Sequence, residues 1–194
     1  MTKNKFIGKV VSELIDDEFS IYLIQKRKIN KCGGWFDCYK RELRVAYKND
    51  YGFEILIHEY CHFLQWKNDN NFFMKKYSGC DTIFNWLKGV DYTDSKLKKA
   101  FQDVIELEWD CERRSLQLIK NLKLPVDENL YIKTSNAYLL FYHIVKSERK
   151  WSKKSPYNNE KIVKLVPDQH FDLDFYLDAG NISKELREEY LKTI

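Results

Sequence analysis

Residues 58–62 read His58-Glu59-Tyr60-Cys61-His62. Histidines four apart share one face of a helix, so both imidazoles can reach a single metal ion. The carboxylate of Glu59, next to the first of them, is placed to serve as a general base on a water activated by that metal. The chain has four histidines, and two fall into this pattern. Zinc suits such a donor set. A catalytic zinc, one per chain, needs a third protein ligand and an open fourth position.

The other histidines, His143 and His170, are candidates for that third place, but a carboxylate-rich segment serves better. It reads Ile105-Glu106-Leu107-Glu108-Trp109-Asp110-Cys111-Glu112. Traced at helical spacing, an apolar stripe runs through Leu97, Phe101, Val104, Cys111, Leu118 and Leu122. Position 108 lies on that stripe, and position 112 flanks it beside Ile105 and Ile119. Burying a carboxylate is costly unless it is paired or binds a metal. Glu108 is therefore the expected third ligand, and Glu112 the partner that orients a ligand histidine. The competing register uses Glu106 with Asp110, on the side that also carries Arg113 and Lys120. Cys61 sits one residue off the histidine face and reads as a small core residue.

The elements that must position these groups follow from periodicity. Phe6, Val10 and Leu14 predict a helix over 3–16, and Phe19, Ile21 and Leu23 predict a strand. Gly33-Gly34 is a turn signal. Trp35 to Tyr47 reads as one further strand, and its Arg41, Glu42 and Arg44 suit an exposed edge. Asn49-Asp50 caps a helix over 51–66 that carries both histidines. Shorter helical segments are expected at Asn71–Tyr77 and Thr82–Lys88. Asp94-Ser95 caps a long helix ending near Leu122, and Thr134-Ser135 caps another through Lys150. Residues 151–182 read as irregular, with a short strand at Ile162–Val166, and Ser183 caps a last helix. Strands followed mostly by helices, without alternation, predict an α+β fold. One domain is expected, with a core over about 19–122 and a helical extension over 123–194.

Composition limits the function classes. The 194 residues carry 33 Lys+Arg and 29 Asp+Glu, a net charge of +4. That excess is mild for a nucleic-acid binder, and the basic stretches Lys26–Lys31 and Lys146–Lys154 read as solvated faces. Nucleic acid is therefore not an expected partner. The longest apolar run, Ala137 to Val145, is too short to span a bilayer, and no membrane partner is expected. No apolar stretch near Met1 resembles a secretory signal. The five cysteines form no Cys-x-x-Cys pair, which predicts reduced thiols and a cytoplasmic setting.

His58-Glu59-x-x-His62, followed by a helix bearing Glu108-x-x-x-Glu112, resembles the gluzincin branch of zinc metallopeptidases. The compact strand region ahead of the motif is similar to the small members called minigluzincins. The resemblance covers about residues 19–120. No metzincin extension follows His62, and no cysteine-rich zinc ribbon is present. The resemblance implies a zincin-like fold, with a small mixed or antiparallel sheet packed on the motif helix. It implies zinc on His58, His62 and Glu108, Glu59 as general base, and peptide or protein as substrate. It also implies a Tyr or His donor to the substrate carbonyl, here Tyr138 or His143 ahead of Tyr142 and Tyr157. The strand from Arg41 to Tyr47 would take an extended peptide by edge pairing. The alternatives are a regulator that cleaves one dedicated protein, and a non-catalytic protein-binding module on the same scaffold.

Overall fold

A computed structural model of the protein describes residues 1–29 and 32–194, with Asn158 described through its backbone alone. Lys31, the end of the first basic stretch, lies outside the described residues. The fold is α+β. Its elements are α1 (Lys3–Asp16), β1 (Ser20–Ile24), β2 (Gly34–Asp37), β3 (Glu42–Ala46), α2 (Gly52–Asn68), α3 (Asn70–Leu87), α4 (Asp94–Leu122), α5 (Glu128–Glu148), α6 (Glu160–Leu165), α7 (Leu173–Leu177) and α8 (Lys184–Leu191). Among the described residues no helix is long and apolar enough to cross a membrane. The chain divides into two compact units, one of residues 1–72 and 111–126, the other of 73–110 and 127–194.

In the first unit, α1 starts on the Thr2 hydroxyl, which accepts a hydrogen bond from the Lys5 amide. Phe6, Val10 and Leu14, spaced one turn apart, are fully buried. Glu18 closes the helix with φ of 63° while the Phe19 amide donates to the Leu14 carbonyl at 2.7 Å. The chain then enters a three-stranded sheet of order β1-β3-β2, with β1 parallel and β2 antiparallel to β3.

This corrects the expected single strand from Trp35 to Tyr47. The chain turns between β2 and β3, where the Asp37 carboxylate accepts from the amides of Tyr39 and Lys40 at 3.1 and 2.9 Å. Arg41 completes the turn with φ of 52°. An aspartate that captures the next backbone amides builds a turn without glycine or proline. β3 is consequently the central strand, hydrogen-bonded on both sides. It is not an edge and cannot take a peptide by edge pairing.

α2 lies between α1 and the sheet. Phe6 meets Phe53 and Tyr60 edge-on, both at 5.7 Å. Phe36 on β2 meets Phe63 at 6.2 Å, and Phe19 meets Trp66 at 4.8 Å. A helix packed on two sides must be apolar over most of its surface. Buried positions accordingly run from Gly52 to Gln65.

In the second unit, Phe101, Val104, Leu140, Phe141, Tyr176 and Tyr190 belong to one core. Three local expectations change here. The two segments expected at Asn71–Tyr77 and Thr82–Lys88 are one helix, α3 (Asn70–Leu87). A Cβ at Gly79 would stand 2.8 Å from the Ala100 carbonyl oxygen, so this glycine allows α3 to approach α4 and does not break the helix. α5 starts at Asp127, whose side chain accepts from the Leu130 amide. Thr134 and Ser135 donate back to the carbonyls of Tyr131 and Ile132 inside the helix. Ile162–Val166 is not a strand, since Glu160–Leu165 forms α6, capped by Asn159.

Candidate metal centre

Both motif histidines project from α2 in the first unit. Their Nε2 atoms face each other at 3.1 Å, with ring centroids 4.6 Å apart and the planes perpendicular. Each remaining ring nitrogen meets an acceptor oxygen. His58 Nδ1 lies 3.1 Å from Glu112 Oε1 on α4, and His62 Nδ1 lies 2.8 Å from Gln65 Oε1. Both Nδ1 atoms therefore carry hydrogen, which leaves the His62 Nε2 with its lone pair and the His58 Nε2 with one whenever that ring is neutral. Two lone pairs at this distance repel unless a proton or a cation lies between them. A tetrahedral zinc with Zn–N bonds of about 2.0–2.1 Å holds two nitrogens roughly 3.3–3.4 Å apart. The pair is slightly closer than that, so a shared metal would part the rings by roughly 0.2–0.3 Å.

With no metal, a proton on the His58 Nε2 fills that place. Burial alone would push its pKa down. The neighbouring Cys111 thiol and Glu112 carboxylate outweigh burial and hold it well above the ordinary histidine value. Cys111 belongs to the cluster, because its sulfur and one nitrogen of each histidine lie within 4.8 Å of one another. Its thiol donates to the His58 carbonyl at 3.3 Å and stands 3.7 Å from His58 Nδ1, not Nε2. The sulfur thus sits on the Nδ1 side of the His58 ring. Cys61 is fully buried, and burial together with Cys111 pushes its thiol pKa up, as suits a core thiol.

Glu59 is 7% exposed. A Cβ at Gly34 would lie 3.3 Å from Glu59 Cγ, 2.8 Å from Ile55 Cγ2 and 2.7 Å from the Arg44 carbonyl oxygen. The missing side chain at the head of β2 thus makes room for the turn of α2 that carries Glu59. Tyr60 reaches the other way, to α1. Its hydroxyl donates to Glu13, and Lys9 donates to it at 3.0 Å.

The second unit holds the remaining expected residues. Glu108 is 7% exposed. The Tyr138 hydroxyl donates to its Oε1 at 3.5 Å and pairs with the Tyr142 hydroxyl at 2.8 Å. Burial and the neighbouring carboxylate push both phenols far above their usual pKa, so both remain protonated donors. Tyr157 packs edge-on against Tyr138 at 6.2 Å. His143 points elsewhere, because its Nε2 bonds the Tyr176 carbonyl at 2.8 Å. The structure gives it an anchoring contact to α7 and does not bring it to Glu108. His170 Nε2 meets Ser135 at 2.9 Å. Glu106 belongs to a charge network, 2.5 Å from Lys76, which also bonds Asp103 at 2.8 Å.

Sequence reasoning missed Gln65 and Cys111 as members of the cluster. Gln65 follows His62 by three positions, on the same helical face, and is a polar residue within the run Phe63-Leu64-Gln65-Trp66. That was a readable signal. For Cys111 the stripe on α4 gave burial but no chemistry. Comparison of the chain with protein-family models, with curated proteins and with solved structures finds no match.

Proposed function

We propose that the protein is a zinc-dependent metallopeptidase of the gluzincin kind. The observation that carries this reading is the 3.1 Å convergence of the His58 and His62 Nε2 atoms, with their Nδ1 atoms tied to other groups. A carboxylate from the same helix, Glu59, supplies the base that a purely structural site does not need.

Zinc is the cofactor, one ion per chain, held by His58, His62 and Glu108. Glu108 precedes Glu112 by one turn of α4 and is buried, as the inward register expected of a ligand requires. The competing third donor is Cys111, which clusters with His58 and His62. A zinc ion supplies Lewis acidity, polarising a carbonyl and acidifying water. Glu59 accepts the proton of the attacking water and returns it to the leaving amine. Glu112 holds His58 in the tautomer that presents Nε2. Tyr138, kept protonated, donates to the substrate carbonyl oxygen as negative charge develops there. The substrate class is peptide or protein. A reducing, cytoplasm-like compartment is proposed from the five free cysteines.

The test is Glu59→Gln, assayed on a degenerate peptide pool and on an unfolded protein. The variant is expected to retain zinc and lose hydrolysis. Hydrolysis that survives the substitution would remove Glu59 as the base. A zinc-loaded wild type that cleaves neither substrate would count against a general peptidase.

A further inference from the structure

The two histidines are held by chemically different partners. His58 leans on a carboxylate from another helix, whereas His62 leans on a neutral amide one turn away on its own helix. Gln65 is fully buried, although a buried amide is costly unless its polar atoms find partners. Its Oε1 accepts, so the imidazole nitrogen facing it must carry hydrogen. With the proton fixed on Nδ1, the Nε2 lone pair of His62 is directed at His58.

We propose that Gln65 is a positioning residue for metal binding, which sets the tautomer and the ring angle of His62. The role rests on the reading of His58 and His62 as ligands. α2 by itself presents His62 in the metal-ready form, since ligand and orienting group both come from residues 62–65. His58 becomes metal-ready only through Glu112, which α4 must deliver. Because the partner of His62 is neutral, it orients the ring without adding negative charge beside the metal.

The experiment uses the full chain with zinc as the probe and compares wild type, Gln65→Leu and Gln65→Glu. Zinc affinity is read by competition with a chromophoric chelator. The tautomer of His62 is read separately in metal-free protein by nitrogen NMR of the imidazole. Gln65→Leu removes the acceptor and keeps the bulk. It is expected to weaken zinc binding by roughly 10–100-fold, the usual effect of losing a partner that orients a ligand. In metal-free Gln65→Leu the His62 proton should leave Nδ1 for Nε2. Gln65→Glu restores an acceptor and should restore both the tautomer and the affinity. A merely structural role would lower the melting temperature of Gln65→Leu with no change in tautomer. Wild-type affinity in Gln65→Leu, or Nε2–H His62 in the metal-free wild type, would overturn the proposal. Wild-type protein that takes up no zinc while His62 shows the Nδ1–H tautomer would instead count against the metal reading. If Gln65→Leu does not fold, the wild-type tautomer and the Gln65→Glu affinity still decide.

Discussion

Replacing Gly34 with alanine places a methyl group where β2 meets α2. The new carbon would lie 2.7 Å from the Arg44 carbonyl oxygen and 2.8 Å from Ile55 Cγ2. Carbon–oxygen contacts settle at about 3.3–3.6 Å and carbon–carbon contacts at about 3.5–4.0 Å. β2 must therefore part from α2 by roughly 0.7 Å and from the Arg44 carbonyl of β3 by roughly 0.6 Å at the least. The Arg44 oxygen is backbone within the sheet, so it cannot swing aside as a flexible side chain would. Overpacking of this kind costs about 1–3 kcal/mol. For a chain of this length, each kcal/mol lowers the melting temperature by roughly 2–4 °C. Glu59 Cγ, 3.3 Å from the added carbon, moves with the helix. Misplacing a catalytic group by about 1 Å can cost ~10²-fold in rate, so hydrolysis should fall more steeply than stability. Zinc should be retained, because His58, His62 and Gln65 all ride on α2. The assay combines thermal melting, elemental analysis for zinc and peptide hydrolysis on Gly34→Ala beside wild type. An unchanged melting temperature would refute the claim that β2 and α2 are in contact at this glycine.

Glu108→Ala should lose zinc in elemental analysis, while Cys111→Ser and Glu106→Ala should keep it; the reverse pattern would move the third ligand. Burial tends to raise the Glu13 pKa, but the bonds from Lys9 and Tyr60 outweigh it and leave the carboxyl below 4.5. A depressed folded pKa stabilises above the unfolded value and is lost as pH falls through the folded one. The melting temperature of wild type should therefore drop more steeply than that of Glu13→Gln as pH falls below 4.5; parallel pH profiles would contradict this. Asn136 donates to the carbonyls of Pro167 and Gln169 at 2.9 and 3.0 Å and accepts from the Tyr176 hydroxyl at 2.6 Å. Asn136→Ala should destabilise by roughly 1–3 kcal/mol for each buried group left without a partner. It should also open residues 167–171 to limited proteolysis, read by mass mapping of the first cut.

Local chemistry was legible in the sequence wherever neighbours along the chain decide it. The spacing of Phe6, Val10 and Leu14 specified α1 and its buried face. The spacing of His58 and His62 put both rings on one side of α2. The stripe along α4 marked Glu108 and Glu112 as inward, and both are buried, at 7% and 5% exposed. What escaped depends on distant partners. β3 looked like an edge because charges mark edges, yet it pairs with β1 in parallel across an intervening strand. No local pattern encodes such a pairing. Asn71–Tyr77 and Thr82–Lys88 looked like two segments, whereas Gly79 between them lies inside α3 and serves contact with Ala100. Thr134 and Ser135 looked like caps, since a hydroxyl that caps a helix can also bond back inside one. His143 carried the right chemistry at the wrong angle, because Tyr138 and Tyr142 share a face that His143 leaves.

The most direct measurement is the zinc content of freshly purified protein, wild type beside His58→Ala and His62→Ala, with folding checked by circular dichroism. The account predicts about one zinc per wild-type chain and a folded, zinc-free protein in each variant. Folded wild-type protein that neither carries zinc nor takes it up would contradict the account, as would zinc that stays bound in either histidine variant.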